Sequence, residues 1–110
     1  MEDSDFIFLI KEGNLHNIQE YYNNNPNINI SADNEYAFIT ACGNGHLEVA
    51  KWLLEVKPDI NIYDDDNDAF IKACSFGYLE VAKWLLEVKP NIINFDNDIF
   101  ISTYFSPLLL

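Results

Sequence analysis

LEVAKWLLEVKP stands at residues 47–58 and recurs unchanged at residues 79–90. The repetition extends upstream. Residues 27–58 and 59–90 align without a gap at an offset of 32; ten positions differ and 22 are identical. Ala37-Phe38-Ile39 returns as Ala69-Phe70-Ile71, Ala41-Cys42 as Ala73-Cys74, and Gly45 as Gly77. A fixed period of this length marks an array of supersecondary units. The frame also decays outward. Phe6-Ile7, Gly13 and Leu15 match Phe38-Ile39, Gly45 and Leu47, and residues 96–101 match 66–71 at an offset of 30. The expected organisation is one domain over 1–110: a degenerate opening unit (1–26), two full repeats (27–58 and 59–90) and a truncated half repeat (91–110).

Each full unit reads as helix, turn, helix, extended loop. Residues 37–42 form a short apolar helix, closed by Gly43-Asn44-Gly45, whose glycines suit tight or left-handed backbone. In the second helix, Leu47, Ala50, Leu53 and Leu54 recur at spacings of three and four, one apolar stripe. Glu48, Lys51 and Glu55 lie on the other side. Pro58 stops the helix, because the residue before a proline avoids the α region. Ile28-Asn29-Ile30 and Ile60-Asn61-Ile62 alternate as an extended arm does. A lone unit cannot bury its stripe, whereas stacked units can.

The run Gly45-His46-Leu47-Glu48-Val49-Ala50-Lys51-Trp52-Leu53-Leu54-Glu55, followed by Asp59-Ile60-Asn61, resembles the ankyrin repeat. The likeness covers nearly the whole chain, and its wording is similar to ankyrin proteins of giant DNA viruses. It implies an all-α ankyrin-repeat solenoid of stacked helix-turn-helix units with hairpin-like loops, acting as a non-catalytic protein-interaction module. Two departures matter. The family's T-P-L-H is replaced by Tyr36-Ala37-Phe38-Ile39 and Asp68-Ala69-Phe70-Ile71, so Asp33, Asn34, Asp66 or Asp68 is expected to cap the first helix. The family's glycine after the second helix is Lys57 and Lys89 here. A left-handed lysine costs about 1 kcal/mol or more, so a different helix exit is expected; Asn25, in that place in the first unit, tolerates the left-handed geometry better.

The positions that differ between the two full units point to a partner surface. They fall at the loop tip, at the start of the first helix and around the inter-helix turn. Asp33, Asn34, Glu35, Tyr36 and Thr40, with Asp64, Asp65, Asp66, Asp68 and Lys72, are the candidate partner-binding residues. The competing reading is a solvated face that drifts without function, on an inert repeat fragment. A third reading takes Asp64, Asp66 and Asp68 as places one, three and five of a calcium loop, a weak cation-responsive binder. It fails further on: place six is Ala69 instead of Gly, and place twelve is Ser75 instead of Glu.

Composition narrows the classes. Eighteen acidic residues against six lysines and no arginine give a net charge of −12. Nucleic acid and anionic membrane surfaces require the opposite sign, and a basic partner surface would be drawn to the acidic tips. Cys42 and Cys74 are too few for a disulfide framework and fit a reducing, intracellular setting, which is host-cell cytoplasm if the chain is viral. The N-terminus opens on acidic residues, unlike a secretory signal. His16 and His46 stand alone, and His46 is expected to bond within its own turn. Trp52 and Trp84 are expected to pack. No nucleophile, metal or cofactor motif is present, so neither an enzyme nor a cofactor is expected. The uncharged stretch 99–110 would leave apolar surface bare and favour self-association.

Overall fold

The computed structural model describes residues 2–62 and 64–88, so the half repeat 91–110, its apolar stretch and Lys89 lie outside the described residues. Six helices and no strand occur among those described: α1 (Glu2–Glu12), α2 (Leu15–Asn24), α3 (Ala32–Gly43), α4 (Leu47–Val56), α5 (Asp64–Ser75) and α6 (Leu79–Val88). They pair as three antiparallel hairpins, α1–α2, α3–α4 and α5–α6. The fold is an all-α helical repeat. Gly13, Gly45 and Gly77 occupy the same place in the three inter-helix turns, at φ 78°, 77° and 80°. Only glycine takes that left-handed geometry without strain.

Close backbone contact between hairpins runs through the first helices, α1 against α3 and α3 against α5. Their facing residues are small: Ala37, Ala41, Cys42, Ala69, Ala73 and Cys74 are all buried. The second helices stand further from one another, and the tryptophans of α4 and α6, rather than close backbones, reach across to the preceding hairpin. Tyr22 meets Trp52 edge to face, with ring centroids 5.4 Å apart, and Phe38 lies 6.2 Å from Trp84. In both pairs the tryptophan reaches back to the preceding hairpin. Trp52 is buried and Trp84 half-buried, as their packing role requires. One core cluster runs from Phe6 to Leu85.

Two rings couple the hairpins. His46 lies over Gly13 and Tyr78 over Gly45, so closely that a Cβ on either glycine would strike the ring. Among the described residues, nothing stands within 4 Å of a Cβ placed on Gly77. His46 Nε2 bonds the carbonyl of Lys11 at 2.8 Å. A carbonyl only accepts, so Nε2 carries the proton. The expected bond within its own turn is therefore replaced by one to the preceding hairpin, which Gly13 makes room for.

The first helices differ from expectation. The α3 helix begins at Ala32, five residues before the apolar run, and α5 begins at Asp64. Asp33, Asn34, Asp66 and Asp68 therefore lie inside the helices instead of capping them. The capping position of α3 is Ser31, whose side chain makes no cap bond. Carboxylates in a first turn still favour the helix through its dipole. The α3 helix also carries a left-handed residue, Glu35, at φ 64°. Its N–H closes the opening turn on the Ser31 carbonyl at 3.1 Å.

The loops run as turns. Ile30, Ile60 and Ile62 are buried while Asn29 and Asn61 are exposed, so the alternation holds although no ladder forms. At the helix exits Lys57 has φ −138° and Asn25 has φ −138°. Neither residue adopts the left-handed geometry, so the strain expected of a lysine there does not arise. Lys57 Nζ instead reaches Asp59 Oδ1 at 3.0 Å, and that bond holds the Asp59 carboxyl below its ordinary range.

Candidate partner-binding face

Residues four apart on a helix share a face. On α3 and just beyond it, Tyr36, Thr40 and Asn44 form such a stripe. Thirty-two residues later the stripe is Asp68, Lys72 and Phe76, and thirty-two earlier it is Ser4, Phe8 and Glu12. Because the first helices lie side by side, the three stripes form a small grid. It is exposed at Ser4, Phe8, Glu12, Tyr36, Asn44 and Phe76, and partly exposed at Asp68 and Lys72. All three stripe positions differ between the two full units, whereas the buried Ala37, Phe38, Ile39, Ala41 and Cys42 recur as Ala69, Phe70, Ile71, Ala73 and Cys74. Packing therefore holds the inner faces of the helices constant and leaves this face free to vary.

Two of the candidate residues turn inward. Thr40 is 7% exposed and forms the floor between the neighbouring stripes. Glu35 is 6% exposed, and its Oε2 accepts the Asn61 backbone N–H of the next unit at 3.0 Å. Such a charge-assisted bond contributes about 1.5–3 kcal/mol, enough to offset the roughly 1–2 kcal/mol cost of left-handed backbone. Glu35 thus ties one unit to the loop of the next and presents no contact surface. Among the described residues, its Oε1 and the Ser31 Oγ are buried without a protein partner.

Tyr36, Asp68 and Lys72 stand on the stripe. Lys72 Nζ lies 3.4 Å from Asp68 Oδ2, an i,i+4 pair. Asp33, Asn34, Asp64, Asp65 and Asp66 occupy the first turns of α3 and α5; of these, only the backbone position is described. Loop tips were expected there, and helix ends are found. A helical backbone sets residues two apart about 200° around the axis, so Asp64, Asp66 and Asp68 do not line one side, as an EF-hand loop needs. No group of three metal-ligating side chains gathers among the described residues.

The sequence reading left out Asn44, Phe76 and Phe8. The signal was present, since Asn44 and Phe76 lie four residues after Thr40 and Lys72, and Phe8 is the repeat equivalent of Thr40. Asn44 donates from Nδ2 to the Thr40 carbonyl at 2.8 Å, which fixes its side chain at the end of α3. Phe76 is 63% exposed and Phe8 59%, unusual for phenylalanine. Lys11, Tyr36, Thr40, Asn44, Lys72 and Phe76 line a groove of about 160 Å³ on this face. Wider clefts follow the helix exits and are lined largely by Asn24, Asn25, Asn27 and Asn29, with Lys57 and Asp59 paired nearby.

The thiols offer no chemistry. Cys42 and Cys74 are free and buried. Burial pushes the Cys42 thiol far above its ordinary range and that of Cys74 up to about 12. The thiolate is the nucleophile, and near neutral pH neither residue supplies it.

A family model described as ankyrin repeats, in three copies, matches residues 6–96. The chain belongs to the ankyrin-repeat family. No curated protein and no solved structure matches it. Ankyrin repeats mediate protein–protein interaction and are typically non-catalytic. The three hairpins α1–α2, α3–α4 and α5–α6 fall within the matched span apart from the first residues of α1. No helix among the described residues is long and apolar enough to cross a membrane.

Proposed function

We propose that this ankyrin chain binds a partner protein through the first turns of α3 and α5 and the grid of side chains running down the first helices. The observation that carries the reading is that all three positions of the exposed first-helix stripe are among the ten that differ between the full units, and that none of the ten lies on the second helix. Tyr36, Thr40 and Asn44 give way to Asp68, Lys72 and Phe76 while the buried residues between them repeat unchanged. Drift alone would spread differences over every exposed position, yet the exposed Glu48, Lys51 and Glu55 of α4 recur as Glu80, Lys83 and Glu87 in α6. Asp33, Asp64, Asp65 and Asp66 make the first turns the acidic end of the face, which favours a basic surface on the partner. The unit boundaries at 26, 58 and 90, a host-cell cytoplasmic setting suggested by the giant-virus likeness, and self-association through residues 91–110 belong to the same proposal.

The test is affinity capture from an extract of the host cell. The wild-type chain is compared with Asp64→Asn/Asp65→Asn/Asp66→Asn, with circular dichroism confirming that both are folded. A protein retained by the wild type at physiological salt and captured at least about five-fold less by the variant is expected, since three charge pairs to a partner supply roughly that much. No protein retained above a blank resin would make the chain an inert repeat fragment. Equal capture by both chains would move the site away from the acidic turns.

A further inference from the structure

The groove at the far end of the first helices has the opposite chemistry from the acidic turns. Its floor is Thr40 and Gly43, small residues between larger neighbours. A Cβ on Gly43 would stand 3.3 Å from Lys72 Cδ, so the Lys72 stem packs closely over Gly43. Tyr36 and Phe76 form its apolar walls, 40% and 63% exposed. Lys11 and Lys72 line it and no acidic residue does among the described residues, although Glu12 follows Lys11 and Asp68 pairs with Lys72. These are the only lysines on α1, α3 and α5 in a chain that carries a net charge of −12. Lys72 shares its charge with Asp68, while Lys11 makes no ion pair among the described residues.

Two of the three first helices, α5 and α1, thus carry a lysine toward the end opposite their acidic first turn, α1 with Glu12 beside it, while α3 carries none. The α5 helix opens on Asp64, Asp65 and Asp66 and closes on Lys72; α1 opens on Glu2, Asp3 and Asp5 and has Lys11 in its last turn. Resting on the partner-binding reading above, we infer that the groove takes an acidic, aromatic-bearing stretch of the partner, whose basic residues lie over the acidic first turns. On α5, Asp64, Asp65 and Asp66 lie six to eight residues before Lys72, about 9–12 Å at 1.5 Å per residue. An extended chain covers that in about three or four residues at roughly 3.3 Å each. The partner segment is therefore bipolar: a basic pair, a short spacer, then an aromatic residue beside a carboxylate. A uniformly acidic segment would be repelled by the rest of the chain, and a uniformly basic one would leave the two lysines opposed.

Two peptides of identical composition test this by amide chemical-shift titration of the isotope-labelled full chain. KKSGSFE has the inferred spacing, and KEKFSGS interleaves the same residues. KKSGSFE is expected to bind about five-fold more tightly, which is what two exposed ion pairs supply together. The largest shifts are expected at Lys11, Gly43, Asn44 and Phe76. In Lys11→Gln/Lys72→Gln that advantage should fall below about two-fold, with an unchanged melting curve because both side chains reach solvent. An advantage that survives the double substitution overturns the groove's role. Equal binding of the two peptides, lost together in the Asp64/Asp65/Asp66→Asn chain, overturns the groove and leaves the partner-binding reading standing. No shift on the first-helix row with either peptide overturns the inference, and absence of any captured protein in the extract experiment overturns the reading beneath it.

Discussion

Gly45→Ala is expected to destabilise the chain by about 3 kcal/mol, and Gly77→Ala by only about 1–2 kcal/mol. Both glycines are left-handed, at φ 77° and 80°, so each substitution carries the same backbone cost of roughly 1–2 kcal/mol. The difference lies in what the new methyl meets. At Gly45 it would stand 2.5 Å from Tyr78 Cδ1 and 2.9 Å from Cγ, so the whole ring must leave its seat. Displacing a packed group costs about 1–3 kcal/mol more. At Gly77 it meets nothing within 4 Å among the described residues. Urea unfolding followed by circular dichroism measures both. Equal losses would show that the ring of one hairpin does not rest on the turn of the one before.

Phe38→Ala is expected to cost about 3–5 kcal/mol, the range for a fully buried phenylalanine. Phe38 has no exposed surface and touches Trp84 of the next hairpin, with centroids 6.2 Å apart. It therefore serves the core of its own hairpin and the junction to the next. Domains of this kind are stable by about 5–15 kcal/mol in total, so the loss takes a large share. In a Trp52→Phe background Trp84 is the sole tryptophan, and its emission should shift to the red as the phenylalanine is removed. A loss under about 1 kcal/mol with unchanged emission would contradict the described junction.

The period of 32 carried most of the architecture. The second helices, read from one apolar stripe and the following proline, occupy residues 47–56 and 79–88 as the pattern required. Their stops are local chemistry, and local chemistry is legible in a sequence. The first helices were read too short because Ala32, Asp33, Asn34 and Glu35 look like a polar turn. What makes them helical is the bond from Glu35 N–H to the Ser31 carbonyl and the burial of the Glu35 side chain.

The misplaced candidates share one cause. Glu35 is covered by a loop twenty-six residues away, and the His46 ring bonds a carbonyl thirty-five residues away. Thr40 is sunk between neighbouring rows. Which side of a helix a neighbouring unit covers is a tertiary fact, and variation between repeats marks both exposed positions and junctions. The spacing of four that joins Tyr36, Thr40 and Asn44 separates the stripe from the rest. It would have brought Asn44 and Phe76 into the candidate face from the sequence alone.

The central claim is that successive hairpins stack through the first helices, each seating a ring on the turn before it. Nuclear Overhauser contacts from the ring protons of His46 to the α protons of Gly13, and from Tyr78 to those of Gly45, test it most directly. Both sets are predicted, with the glycine α protons shifted upfield by the rings above them. Their absence, with those glycine protons at ordinary positions, would contradict the stacking and the partner face built on it.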